Sequence, residues 1–252
     1  MYSPYQGYMP ANSTHSGAFA LLDFKQGDVT GDGMIDNVYL YGKPEGAGGF
    51  ADHITLVIQD GRTQQITTVN LQNNAGYHTS LFLGDFSGDK VEDIMISMET
   101  GGSGGYGIFY VYSFKNAILQ KMFDVDLYNS EYVFRVDYEN NYRVGVGSPQ
   151  LNILFTIDIS NKGFDYISQF YDENGKLKQP VSGEVLALGA LYPIVTSPKS
   201  SRYDLLSFQR IIGTTNADTL GYVENLLTWN GNQFVSSRLS VSILGTPLIS
   251  LY

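Results

Sequence analysis

The chain has no cysteine, three histidines, one tryptophan and few charges, with only 16% of its 252 residues being Asp, Glu, Lys or Arg. Without cysteine there is no disulfide, thiolate nucleophile or sulfur-ligated metal. A multi-histidine transition-metal centre would have to draw on nearly all of His15, His53 and His78 from scattered segments, so these read as hydrogen-bonded structural residues. Lys and Arg number 15 against 25 Asp and Glu, a formal charge of -10. That balance lacks the basic footprint of phosphate-backbone binding and argues against nucleic acid as a partner. No apolar run is long enough for a membrane-spanning helix. The first twenty residues show neither a basic n-region nor an apolar h-region, so no classical signal peptide is visible. Helical periodicity is nearly absent. Its two short candidates, SGEVLALGALY and YVENLLTWN, read as mostly strand.

What is present is core material, since 43% of residues are hydrophobic, with 19 tyrosines, 14 phenylalanines and 28 glycines. Residues 1–16 are rich in Tyr, Pro, Ser and Gly without period and read as a flexible arm. Residues 17–252 read as one domain. The runs NVYLYG, HITLVIQDG, QITTVNLQ, HTSLFLGD, DIMISM, GIFYVYSF, YVFRVDY, NILFTIDIS and FVSSRLSVSIL are β-branched or aromatic, with turn signals at roughly 8 to 12 residue spacing, as in all-β folds. GDVTGDGMIDNVYLYG, beginning at Gly27, repeats as GDFSGDKVEDIMISME, beginning at Gly84, at an offset of 57 residues. The glycines Gly48 and Gly49 before one strand match Gly104 and Gly105 before another. A repeat of this length containing several strands predicts a β-propeller of four-stranded antiparallel blades, five of them within a span of four to seven. Trp229 to Phe234, with Asn230-Gly231 at its centre, predicts a terminal hairpin.

Within the repeats, Asp28, Thr30, Asp32 and Asp36 stand at loop positions 1, 3, 5 and 9, and Asp85, Ser87, Asp89 and Asp93 hold the same places. Hard cations need several oxygen ligands, and a glycine-assisted turn can aim alternate side chains at one point. The carbonyls of Met34 and Val91 would complete the two sets, and Ca2+ is the expected ion. The plainer alternative is that Asp and Gly are good turn formers on an acidic surface.

These loops, each followed by an apolar strand, resemble the FG-GAP and VCBS-type repeats of integrin-alpha-like propellers, with their D-x-[DNST]-x-D-G-x-x-D pattern. Lys90 departs from that pattern by replacing the turn glycine. The resemblance covers residues 19 to about 115 and implies a propeller with structural calcium, often exported or surface-located and serving adhesion or ligand binding. The run Gly101 to Gly107 contains both G-x-S-x-G around Ser103 and G-x-G-x-x-G, but a strand follows it where either motif requires a helix. It reads as a loop with room to line a ligand site. Glu92-Asp93 and Asp124 with Asp126 are acidic pairs that no spacing selects for glycoside hydrolysis. The functional expectation is a non-enzymatic, calcium-stabilised binding module for a protein or carbohydrate ligand, extracellular or on a cell or spore surface. The alternatives are a polysaccharide-acting hydrolase with acidic residues in a propeller funnel, and a structural coat component.

Overall fold

The computed structural model describes residues 18–197 and 201–245; the expected arm at 1–16 lies outside them. The first half forms β1 (Ala20–Gly27), β2 (Asp36–Glu45), β3 (Phe50–Gln59), β4 (Ile66–Asn70), β5 (Gly76–Gly84), β6 (Asp93–Glu99), β7 (Gly107–Ser113) and β8 (Gln120–Asp124). After helix α1 (Val125–Glu131) come β9 (Arg135–Glu139), β10 (Arg143–Ser148) and β11 (Ile153–Asp158). Helix α2 (Phe164–Phe170) precedes β12 (Ser182–Ile194), β13 (Asp204–Ile212), β14 (Thr219–Trp229) and β15 (Phe234–Ser242).

The all-β expectation holds, but the strands do not assemble as propeller blades. They form two antiparallel sheets, ordered β1-β2-β3-β5-β6-β7-β8 with β4 beside β3, and β11-β10-β9-β12-β13-β14-β15. The 57-residue repeat is real as a unit, because β1 to β4 and β5 to β8 are its two copies. The copies join edge to edge through Phe50 with Tyr77 and Ala51 with Gly76, where propeller blades would pack face to face. β1 also lies beside β5, with Asp23 Oδ2 accepting from Leu81 N at 2.7 Å, so this sheet is nearly closed like a barrel. Register shifts in β2–β3 and β5–β6 supply the curl. His53 and His78 sit in these irregular stretches with positive φ, exposed and facing Asp52 and Glu99.

Burial explains the sequence pattern strand by strand. Val38, Leu40, Ile54, Leu56, Ile94 and Ile96 fill the curled sheet. Met95, Phe109 and Val111 point the other way and meet Leu188, Leu205, Leu227 and Trp229 of the second sheet. β6 and β7 are thus covered on both faces, which is why DIMISM and GIFYVYSF read as continuous apolar runs rather than alternating ones. Each fully buried aliphatic side chain contributes about 2 kcal/mol. The Tyr128 hydroxyl of α1 reaches Ser207 Oγ at 2.7 Å inside this interface, and burial pushes its pKa up to about 12, so it stays a neutral hydrogen-bonding group.

The two helices were absent from the sequence expectation because each is only seven residues long, too short to show a 3.6-residue period. Asp124, half of an acidic pair in the sequence, is the N-cap of α1, accepting from Asp126 N at 2.9 Å.

Candidate functional site

The two acidic loops lie side by side at one end of the curled sheet, joined by Glu92 N donating to Asp28 O at 3.1 Å, and the turn between β7 and β8 adds Asn116 N to Thr30 O at 2.8 Å. Most of their hydrogen bonds repeat from one loop to the other. Asp28 Oδ1 accepts from Gly31 N at 2.7 Å and Asp32 N at 3.1 Å, and its Oδ2 from Gly33 N at 2.9 Å. Asp85 does the same with Gly88, Asp89 and Lys90 at 2.6, 3.2 and 2.9 Å. Asp36 Oδ2 accepts from Val29 N and Thr30 N, both at 2.9 Å; Asp93 Oδ2 accepts from Phe86 N and Ser87 N at 2.9 and 3.0 Å. At the central position, Asp32 takes Met34 N and the Arg62 guanidinium at 2.8 and 2.5 Å, and Asp89 takes Val91 N and Lys115 Nζ at 3.0 and 2.9 Å. Lys90 holds φ +70° where the first loop has Gly33 at +82°, so the departure from the glycine pattern is accommodated by a left-handed backbone.

Hydrogen bonding to Arg62 and to Met34 N holds the Asp32 carboxyl below its ordinary range. For Asp89, burial works upward but is outweighed by Lys115 and Val91 N, and the net shift is down. Asp93 is the exception: burial raises its pKa from 3.8 to about 6, against the pull of Ser87 N, Phe86 N and the Ser113 hydroxyl.

These donors were the expected calcium ligands. Among the described residues no three carboxylate or histidine side chains are grouped to hold an ion. The carboxylates face their own backbone, and a cationic side chain occupies each central aspartate. One buried oxygen per loop lacks a hydrogen-bond partner, Thr30 Oγ1 in the first and Asp93 Oδ1 in the second. The loops read as self-capped turns, and thermal unfolding should give one melting temperature, within about 1 °C, in chelator and in millimolar calcium. A calcium-specific rise of several degrees would contradict this arrangement.

A wide cleft lies elsewhere. It occupies about 720 Å³ between the glycine-rich loop joining β6 to β7 and the outer face of β12, β13 and β14. On β13 and β14, Leu205, Ser207, Gln209, Val223 and Asn225 are buried while Phe208, Arg210, Tyr222 and Glu224 alternate outward. Tyr192 and Phe208 have ring centroids 5.9 Å apart at 70°, and Phe208 and Tyr222 are 6.4 Å apart at 82°. Arg210 staples the glycine loop down, donating from Nη2 to the carbonyls of Ser103 and Gly104, each at 3.4 Å, and to Asn216 Oδ1 at 3.0 Å. Asn216 Nδ2 donates to Ser103 Oγ at 3.2 Å.

Ser103, Gly104 and Gly105 therefore form a cleft wall, the role left open for this loop by its sequence. Its close approach depends on Gly189 of β12, where a Cβ would stand 2.8 Å from the Gly105 carbonyl oxygen. Gly189→Ala should displace the loop, seen as faster hydrogen exchange at 101–106, while lowering the melting temperature by no more than about 4 °C, the effect of ~1 kcal/mol or less. Unchanged exchange there would show that the contact is not tight. Tyr192, Phe208, Arg210, Tyr222 and Glu224 were not singled out from the sequence. Outward alternation in SFQRI and GYVEN was visible, but which strands stand side by side was not. The acidic pairs do not meet in this cleft: Asp124 caps α1, Asp126 accepts from Asn73 Nδ2 at 2.9 Å, and Asp93 is buried in its loop.

Residues 132–242 match the family described as the YybI C-terminal domain. YybI of Bacillus subtilis (strain 168) is 43% identical over 245 residues, which is 97% of this chain and 91% of that protein. The chain belongs to the YybI family. No solved structure matches it. The resemblance to FG-GAP and VCBS repeats is corrected by these matches, which point to a different family. Its cause is physical: an Asp-x-Thr/Ser-x-Asp turn between strands caps its own amides whether or not a metal is present. The matched segment runs from the end of α1 to the last residue of β15, so it contains the whole second sheet and its aromatic face. The opposing glycine loop comes from the first sheet.

Proposed function

We propose that this protein is a non-enzymatic carbohydrate-binding module whose ligand lies in the cleft between the glycine loop and β12, β13 and β14. The observation that carries the reading is the cross-strand row of Tyr192, Phe208 and Tyr222 beside Arg210 and Glu224. Rings offer apolar faces to the C–H surface of a pyranose, and the Glu224 carboxylate and the tyrosine hydroxyls exchange hydrogen bonds with its hydroxyls, while Arg210 holds the glycine-loop wall in place. The charges of Arg210 and Glu224 balance, which suits a neutral ligand. Glu224 is the single carboxylate among the described residues lining the cleft, whereas glycoside hydrolysis uses two that flank the bond, so binding is favoured over cleavage. Glycans of this kind are met outside a cell or on its surface, and the proposal puts the protein there.

A panel of immobilised neutral glycans tests the reading. The protein should bind at least one class, and Phe208→Ala or Tyr222→Ala should weaken that binding by about 1–2 kcal/mol, roughly five- to thirtyfold. Binding to no glycan, or binding indifferent to both substitutions, would overturn it.

A further inference from the structure

A second groove of about 330 Å³ lies on β9, β10 and β11. Strand register places it on the same face of the sheet as the aromatic cleft. Directly opposed residues in antiparallel strands share a face, and Gly147 opposes Arg135, Arg135 opposes Glu184, and Glu184 opposes Ile212. Ile212 has the parity of Phe208 and Arg210 on β13. The groove has a bare floor at Gly145 and Gly147, one wall made by exposed Leu154 of β11 and the other by Glu139 and Asp137 of β9. Between groove and cleft, β12 presents Ser182 and Glu184.

Resting on the carbohydrate reading above, we infer that the ligand is a glycan chain rather than a single sugar, and that it runs obliquely across the strands from the aromatic cleft into this groove. The centres are three strand steps and about four residues apart, roughly 20 Å, or about four linked pyranose rings. The chemistry of the groove repeats that of the cleft in a different form: Leu154 supplies an apolar wall, and Glu139 and Asp137 accept from hydroxyl groups while Arg135 donates. On this face Asp137, Glu139, Asp158, Glu184 and Glu224 stand against Arg135, Arg143, Arg210 and Arg238, so no cationic excess is present, and the chain as a whole carries -10. A polyanionic chain is therefore disfavoured and a neutral one fits.

Titration calorimetry with cello- and chito-oligosaccharides, from disaccharide to hexasaccharide, tests the inference. For a series that binds, affinity should climb at least tenfold between disaccharide and tetrasaccharide or pentasaccharide and then level off. The double variant Glu139→Ala/Leu154→Ala, at exposed positions that the fold does not need, should lose the gain with length and keep the disaccharide affinity. Length-independent binding that Phe208→Ala still abolishes would overturn the chain inference and leave the carbohydrate reading standing, as would a gain with length that survives the double variant. No binding in either series would overturn the chain inference, and no binding to any member of the glycan panel would remove the carbohydrate reading with it.

Discussion

Replacing Asp36 with alanine is expected to destabilise the protein by about 3–5 kcal/mol in urea unfolding at neutral pH, because three amides lose their acceptor at once. The side chain is fully buried. Its Oδ2 holds Val29 N and Thr30 N, and its Oδ1 holds Gly61 N at 2.8 Å from the turn after β3. Asn at the same position keeps one oxygen for the first two amides but sets an NH2 group against Gly61 N–H, so Asp36→Asn should cost nearly as much. Gly61 lies directly against the Ile35–Asp36 backbone, where a Cβ would stand 2.0 Å from the Ile35 carbonyl oxygen, so no side chain fits there. A loss below about 1 kcal/mol for Asp36→Ala would mean that water replaces the carboxylate.

Asp93, its counterpart in the second repeat, should behave in the opposite way. It lacks a third amide, and burial lifts its folded pKa from 3.8 to about 6. The folded state then binds more protons than the unfolded one between those values, so stability falls as pH rises through that window. The stabilisation present below about pH 4 is lost by about pH 6, to the extent of roughly 3 kcal/mol. Asp93→Asn keeps an oxygen for Phe86 N and Ser87 N and carries no charge to bury. It should flatten the profile between about pH 4 and 6 and match or exceed the wild type at pH 7. The lowered pKa values of Asp32 and Asp89 act with the other sign and below this window, since their stabilisation is lost as pH falls through the lowered values. A wild-type stability that rises steadily from pH 4 to 6 would contradict the burial of a charged Asp93.

The contrast between two aspartates at equivalent places in a repeat shows what a sequence can convey. The repeat, its length, the strands within it and the terminal Asn230-Gly231 hairpin were legible, because each rests on local chemistry: alternation, β-branching and turn residues. The assembly was not. Whether two four-stranded units stack as blades or join at Phe50 and Tyr77 depends on edges that meet across the fold. In the acidic loops the residue types that ligate calcium are also those that cap backbone amides, so spacing alone does not separate the two uses. The cations that meet the two central aspartates, Arg62 and Lys115, lie 30 and 26 residues from them in the chain. The glycine loop was recognised as a loop with room beside it, yet its partners Phe208, Arg210 and Tyr222 lie more than a hundred residues away, with Arg210 106 residues from Gly104. Nothing local marks them beyond facing outward.

The most direct test compares one substitution in the cleft with one in the acidic loops, using binding isotherms for the strongest glycan from the neutral panel, measured in chelator. Phe208→Ala should weaken binding about tenfold, near 1.4 kcal/mol, while Asp32→Asn leaves it unchanged. Binding that vanishes in chelator, or that Asp32→Asn removes and Phe208→Ala spares, would return the functional site to the acidic loops and contradict the placement of the ligand on the second sheet.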